Sequence, residues 1–505
     1  VTFTPSPQQA AFYEWTQKGA GSTLLVAVAG AGKTTTIVNG MGMMPGTVTL
    51  CAFNKKIAEE LKTRVAELFP AAGNRFRIGT FHGLGFGMLN KAVKNLKVDD
   101  RARKAQLTAD FDPEDSLLDV SWKLFDLARQ RGVGCLFHVS DTKEWLDIWD
   151  HYSLDEELPE GADGVVDPKM VIDRARYLAN KATQKTEVVD FTDMLWLPLV
   201  WKLKPWQTDW LLIDEAQDTN PCRRALARLL LKPGGRLVAV GDPRQAIYGF
   251  TGADADAMDL IQHDFHAAEM PLTITYRCPK AVVAVAQQWV DHIQAADTAP
   301  EGEYHRYTDF TAAKEDMIGF MPYDQLKVGD AVLCRNTKPL VETAFRLIRM
   351  GMPAHVEGRD IGKGLISLTN KWKVKSTDAF LTKLDKWAEQ QVAKLTAKGQ
   401  NMAVQALADR IETLKVLAEG CPTTNDIRTK INSIFQDTEN GESKKRITLS
   451  TIHKSKGREW DTVYWYGAGK FQPSPYARKE WEQQQEENLM YVAATRAKKN
   501  LIQVA

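Results

Sequence analysis

Ala27-Val28-Ala29-Gly30-Ala31-Gly32-Lys33-Thr34 is the stretch that decides the fold. It overlaps the end of an apolar run at residues 24–28 and precedes residues able to start a helix. A buried strand, a turn of small residues and a helix N-terminus together aim backbone N–H groups and a partial positive charge at one point, where an anion is stabilised. In such a loop Gly30, Ala31, Gly32 and Thr35 surround the phosphates, Lys33 reaches the β- and γ-phosphates, and Thr34 offers its hydroxyl to Mg²⁺. The expected ligand is a Mg-nucleoside triphosphate. Ala27 stands where the general G-x-x-x-x-G-K-[ST] pattern has its first glycine, so other segments must say what the loop serves.

At 505 residues the chain exceeds what one hydrophobic core supports, and several domains are expected. Apolar residues make up 44% and charged residues 26%, the balance of a folded globular protein rather than a disordered or fibrous one. Lysine and arginine (65) nearly cancel aspartate and glutamate (64), so net charge neither requires nor excludes a polyanion. Local basic clusters at Lys371, Lys373 and Lys375, at Lys444-Lys445-Arg446 and at Lys498-Lys499 could follow a phosphate backbone, although a solvated face is the commoner use of each. The six cysteines are scattered without metal-ligand spacing, which argues against structural zinc and a disulfide framework. No apolar run has the length of a bilayer span and no signal pattern opens the chain, so a cytoplasmic location is expected, with no membrane partner.

Short apolar runs alternate with helical stretches in two regions, the pattern of parallel sheets built from βαβ units. The first region holds residues 24–28, 47–53, 77–80, 210–213 and 236–240; the second holds 272–275, 331–334, 447–451, 462–466 and 501–504. Between residues 90 and 186 strand signals vanish and the sequence turns charged, tryptophan-dotted and helical, with turns at Asp112-Pro113 and 160–167. A second helical stretch spans about 367–443. The expected class is therefore α/β, with two parallel-sheet domains, each interrupted by a mainly helical insertion.

Leu211-Leu212-Ile213-Asp214-Glu215 ends an apolar strand in paired carboxylates, at the edge where α/β sheets place ligands. Asp214 can hold Mg²⁺ through water, and Glu215 can orient or deprotonate an attacking water. After another apolar strand, Gly241-Asp242-Pro243-Arg244-Gln245-Ala246-Ile247-Tyr248-Gly249-Phe250 combines a turn, an amide and two aromatics. Gln245 can sense the γ-phosphate, and Tyr248 and Phe250 offer faces on which bases stack, each worth about 1–3 kcal/mol.

Taken together these segments resemble the superfamily 1 helicases of the UvrD/Rep/PcrA type. Further matches run in family order: residues 79–84 (G-T-F-H-G-L), 190–194 (D-F-T-D-M), 275–277 (T-Y-R), 451–460 (T-I-H-K-S-K-G-R-E-W) and 491–497 (Y-V-A-A-T-R-A). Asn54-Lys55 after Phe53, with Glu487-Asn488-Leu489 before Tyr491, is similar to the compact phage helicases and the core of the F-box helicases.

The resemblance implies two RecA-like P-loop motor domains. The first comprises residues 1–90 and 186–268, with a helical insertion at 91–185. The second comprises 269–366 and 444–505, with a short insertion at 367–443. It implies that Gln8 reads the adenine edge, with Gln9 as the fallback, and that Tyr276 stacks on the base. Glu459, beside Gly457, would bond the ribose, and Arg277 and Arg496 would reach the phosphates from the second motor domain. A planar guanidinium suits the charge that gathers on oxygen in phosphoryl transfer. Phe53, Asn54, Lys55, Thr80, Phe81, His82, Tyr248, Phe250, Thr451 and His453 would lie along a single DNA strand.

The implied activity is an ATP- and Mg²⁺-dependent DNA helicase that translocates 3′ to 5′ on single strands, engages junctions of single and double strand, and acts as a monomer in solution, in a prokaryotic or phage-infected cell. Two other readings stand beside it. The short second insertion and the chain end soon after Arg496 motivate a translocase that strips proteins from single strands or opposes recombination, with weak unwinding. An ATPase-dead clamp is disfavoured because Lys33, Asp214, Glu215, Gln245, Arg277 and Arg496 are all present.

Overall fold

The computed structural model describes residues 4–152, 154–158, 166–249, 256–307, 321–397, 401–435 and 445–504. Phe250, most of the 160–167 turn, Lys444 and the end of the second insertion lie outside the described residues. The chain divides into two compact units, Val1–Thr273 and Ile274–Ala505.

The strands of the first unit are β1 (Thr23–Ala27), β2 (Val48–Cys51), β3 (Phe76–Gly79), β4 (Lys97–Val98), β5 (Val188–Val189), β6 (Thr208–Ile213), β7 (Leu231–Gly241) and β8 (Ala268–Leu272). Six of them form one sheet in the order β3-β2-β6-β7-β1-β8, and every neighbouring pair is parallel. A parallel sheet covered on both faces needs apolar side chains on both, so its strands read as unbroken apolar runs. β2 is accordingly buried at all four positions. The loops leaving the carboxyl ends of β1, β2, β3, β6 and β7 carry residues 28–32, Asn54, Thr80, Asp214-Glu215 and Asp242.

The strand-poor stretch is helical, with Asp100–Thr108, Leu118–Arg131, Thr142–His151 and Pro168–Ala182, while β4 and β5 pair with each other at its two ends. It shares one apolar core with the sheet: Leu124, Phe125, Trp145, Ile172 and Leu178 belong to the same cluster as Leu211, Ile213 and Leu237. Each such side chain stabilises the junction by about 1.5–3 kcal/mol. A buried charge lattice lies in the same unit. Arg129 donates to Asp190 at 2.9 Å and to Asp193 at 2.8 Å, and Arg103 donates to Asp193 at 2.7 Å.

The second unit contains β9 (Ile274–Thr275), β10 (Gln294–Ala295), β11 (Glu303–Tyr307), β12 (Ala331–Cys334), β13 (Ala354–Val356), β14 (Ile447–Thr451), β15 (Trp460–Tyr466) and β16 (Ala497–Val504). Its main sheet is again parallel and six-stranded, in the order β11-β16-β15-β12-β14-β13. The insertion helices Thr377–Ala397, Asn401–Ala418 and Thr424–Ile434 give Phe380, Leu384, Leu414 and Ile431 to the cluster that holds Val332, Leu340 and Leu449.

One expected strand is divided. The run 272–275 was expected in the second sheet region, but Leu272 ends β8, which pairs with β1, and Ile274 starts β9, which pairs with β10. The cause is a contact distant in sequence: the Thr273 N–H leaves the ladder and donates to Gln8 Oε1 at 2.8 Å. The first sheet thus reaches past residue 268.

Candidate active site

Gly30 and Gly32 adopt φ of +75° and +74°, a left-handed conformation that side chains with a Cβ resist. Gly32 caps the helix Lys33–Met41, whose first amides point into the loop. Ala27 is still the last residue of β1, in extended backbone where a Cβ costs nothing, which accounts for the alanine at the motif's first position. Thr35 accepts from Arg64 Nη2 at 3.2 Å.

The loop and the carboxylates after β6 meet. Lys33 Nζ lies 3.3 Å from Glu215 Oε1, and Thr34 Oγ1 donates to Asp214 Oδ2 at 2.8 Å. Burial opposes the Lys33 charge, but Glu215, Asp242 and Asp214 together outweigh it and hold its pKa above the ordinary lysine value. Burial, and then the neighbouring Glu215, raise Asp214 to about 6. Glu215 sits at φ 53°, ψ 50°, a left-handed conformation that costs a non-glycine residue on the order of 1 kcal/mol. Gln217 Nε2 donates to the Glu215 carboxylate while Gln217 Oε1 accepts the Asp242 N–H at 3.0 Å. Gln245, buried, donates to Asp242 Oδ2 at 2.6 Å. A polar chain thus runs from Lys33 through Glu215, Gln217 and Asp242 to Gln245. Neither Gln217 nor Asp242 was given a role by the sequence; their signal was the short spacing to Glu215 and Gln245.

The two N-terminal glutamines separate by environment. Gln9 is buried, closes a capping box with Ser6 and donates to Thr36 Oγ1 at 2.9 Å, a structural assignment. Gln8 is half-buried, and its amide bonds Thr273 at both ends, 2.9 Å from Nε2 to Oγ1 and 2.8 Å from N–H to Oε1.

In the second unit Tyr276 is 52% exposed, a flat face open to solvent. Arg277 and Glu459, given separate roles by the resemblance, bond each other, Nε to Oε2 at 2.7 Å. Gly457 adopts φ of +82° in the loop before Glu459. Arg496 does not project: it is buried, and its Nε donates to Val492 O at 3.0 Å, against the C-terminal turn of the helix Glu480–Ala494. Its favourable position beside that negative helix end must be exchanged for any phosphate contact.

The residues expected along a nucleic-acid strand fall into three groups. Asn54, Thr80 and Thr451 are helix N-caps whose side chains accept from Ile57, Gly83 and Lys454 N–H, and Lys55 opens the first of those helices. Phe81 corrects an expectation: it is 6% exposed and belongs to the core of the first unit, because the first turn of its helix packs inward. The aromatics are the third group. Phe53 and Tyr248 stack with ring centres 6.0 Å apart and 16° between planes, and His82 meets Phe191 edge-on at 6.0 Å. Phe191, 58% exposed, was not assigned by the sequence; an aromatic between two aspartates was its only signal. Burial, then Arg223, lowers His82 to about 4, and burial, then Arg335, lowers His453 to about 3, so both are neutral at pH 7. His453 and Thr451 border a cavity of about 570 Å³ with Arg335 and Arg410.

Two family models match. The UvrD/REP helicase N-terminal domain covers residues 7–266, and the UvrD-like helicase C-terminal domain covers residues 357–504. Among curated proteins, similarity extends to a "Probable DNA helicase II homolog" of Mycoplasma pneumoniae, 28% identical over 56% of this chain and 42% of the relative. The ATP-dependent DNA helicase Rep of Buchnera aphidicola is 25% identical over 54% of this chain and 41% of its own. Rep of Escherichia coli is 23% identical over 95% of this chain and 88% of its own. The match thus spans less than half the length of the first two relatives and most of the third. No helix among the described residues is long and apolar enough to cross a membrane.

Proposed function

Because the chain belongs to the UvrD/REP helicase family, we propose that it is an ATP-dependent DNA helicase that moves 3′ to 5′ along a single strand and separates duplex at its junction. The observation that carries this reading is the meeting of Lys33 with Glu215 and of Thr34 with Asp214 at the carboxyl edge of the first sheet. One hydroxyl and one carboxylate within 2.8 Å of each other suit Mg²⁺, which keeps several waters and takes its other ligands from substrate phosphates. Thr34 and Asp214 would hold the ion, and bound there it would neutralise charge on the phosphates. Lys33 holds the β- and γ-phosphates, and Glu215 takes the proton of the attacking water or orients it. Gln217 holds the Glu215 carboxylate and links it to the loop after β7, where Gln245 in turn holds Asp242. Gln8 and Tyr276 recognise the base, Glu459 the ribose, and Arg277 and Arg496 are the second unit's contribution to turnover, which alternately closes and releases the two motor units.

On the strand side, Phe53 and Tyr248 are a pair of parallel faces that a base can join, and Phe191 with His82 is a second aromatic station. Since both histidines are neutral, grip on the phosphates comes from lysine, arginine and helix N-termini. ATP turnover measured with and without single-stranded DNA, alongside strand displacement and displacement of a bound protein obstacle, tests the reading. Stimulated turnover with strand separation supports it. Stimulated turnover that clears the obstacle and leaves duplex intact identifies the protein-stripping translocase instead.

A further inference from the structure

Two of the six cysteines meet although the chain separates them widely. Cys222 is buried near the start of the helix Pro221–Leu230, which follows the Asp214-Glu215 segment. Cys135 is half-buried in the turn after the insertion helix Leu118–Arg131. That turn is folded tightly on two left-handed glycines, Gly132 at φ +95° and Gly134 at φ +93°. Its Gly132 carbonyl accepts the N–H of Cys135 at 3.0 Å and of Leu136 at 2.7 Å. Cys135 Sγ lies 3.3 Å from Gly132 O, and Cys222 Sγ lies 2.9 Å from Arg129 O, so both sulfurs gather at the carboxyl end of one helix. There the two thiols hydrogen-bond each other. That contact, and then burial, hold the Cys222 thiol well above the ordinary cysteine range, against the pull of Arg129 and Arg224. Cys135 is the member of the pair that solvent, and hence a small oxidant, reaches.

We propose that Cys135 and Cys222 are an oxidative modification site, closed to a disulfide by a hydroperoxide. The Cys135 thiol takes one oxygen from the peroxide and becomes a sulfenic acid, while the rest of the peroxide leaves as water or an alcohol. The Cys222 sulfur then displaces that hydroxyl, which departs with the Cys222 proton as water, and the S–S bond forms. Two thiols are oxidised by two electrons in all, and one peroxide is reduced. The staple joins the insertion to the helix that follows Asp214 and Glu215, and the loop that it closes contains Asp190, Asp193, Asp214 and Glu215. A cross-link over so long a loop restricts the unfolded chain strongly, so the oxidised protein is the harder one to unfold. Where a thiol buffer keeps cysteines reduced, such a bond is transient and marks exposure to oxidant. None of this chemistry depends on ATP turnover.

The test treats the intact protein with hydrogen peroxide, traps the remaining thiols by alkylation and maps the digest by mass, beside Cys135→Ser and Cys222→Ala treated alike. A linked peptide pair holding Cys135 and Cys222 should form, lighter than the separate peptides by the hydrogens lost, and dithiothreitol should open it. The oxidised protein should melt several degrees above equally treated Cys135→Ser, whose substitution is at the half-buried member of the pair and serves as the reference if Cys222→Ala fails to fold. Both cysteines recovered alkylated, Cys135 carried on to sulfinic or sulfonic acid with Cys222 alkylated, a linkage to another cysteine, or the linkage without a rise in melting temperature overturns the proposal.

Discussion

Lys33 sits among three carboxylates, Glu215, Asp242 and Asp214, that keep it charged despite burial, and this defines what each substitution should do. Lys33→Ala should abolish ATP turnover, whereas Glu215→Gln should still bind ATP and lose turnover by about 10²–10⁴-fold, the span of a general base. Nucleotide binding by fluorescence beside steady-state hydrolysis separates the two, and equal loss of binding in both would contradict the roles. Asp214 gives a pH signature. Its folded pKa is raised, so the group is protonated below about pH 6 and ionised above it. In the nucleotide-free protein Mg²⁺ affinity, followed by titration calorimetry, should therefore weaken as pH drops through about 6, where protons compete for the carboxylate that would hold the metal. The stability effect has the opposite sense. The fold favours the protonated form, so this group's contribution to stability declines as pH rises from the ordinary carboxyl value to about 6, then levels off. Nucleotide-free Asp214→Asn should melt above the unmodified protein at pH 7, with the difference vanishing in acid. At this scale Lys33, Thr34, Asp214 and Glu215 were legible because spacing fixes their chemistry. The burial of Phe81 and Arg496 was not, since which face of a turn packs inward depends on residues far away in sequence.

The element that ties the first insertion to its sheet is a charge lattice set in an apolar junction. Arg129 bonds Asp126, Asp190 and Asp193, and Arg103 shares Asp193, all but Asp126 deeply buried. Arg129→Met removes one partner and leaves carboxylates buried without compensation, a change that costs about 3–5 kcal/mol. Urea unfolding should register that loss, and a loss under about 1 kcal/mol would mean that water already reaches the lattice. Most strands of both sheets were legible as apolar runs, among them β12 at 331–334 and β14 at 447–451, but β13 at Ala354–Val356 and all of β8 except Leu272 were not. β11 was missed because Glu303–Tyr307 has no buried position, and with it went the apolar signal on which strand reading depends. The 272–275 run was misplaced because the break at Thr273 is made by a hydrogen bond to Gln8, distant in sequence.

In each unit the same solution recurs: a six-stranded parallel sheet and a helical insertion sharing its core. The order of motifs pointed to two sheets because several motifs follow a strand, as Asp214-Glu215 follows β6 and Asp242 follows β7, whereas the 491–497 motif closes the helix Glu480–Ala494 ahead of β16. The meeting of Cys135 with Cys222 was beyond sequence reading, since the two come together only when the insertion folds back on the helix Pro221–Leu230. The most direct measurement on the whole protein is ATP-driven displacement of a labelled strand from duplexes carrying only a 3′ or only a 5′ single-stranded tail. Displacement is expected from the 3′-tailed duplex alone, and none with Lys33→Ala; displacement from the 5′-tailed duplex alone, or none from either with active ATP turnover, would contradict a 3′-to-5′ helicase.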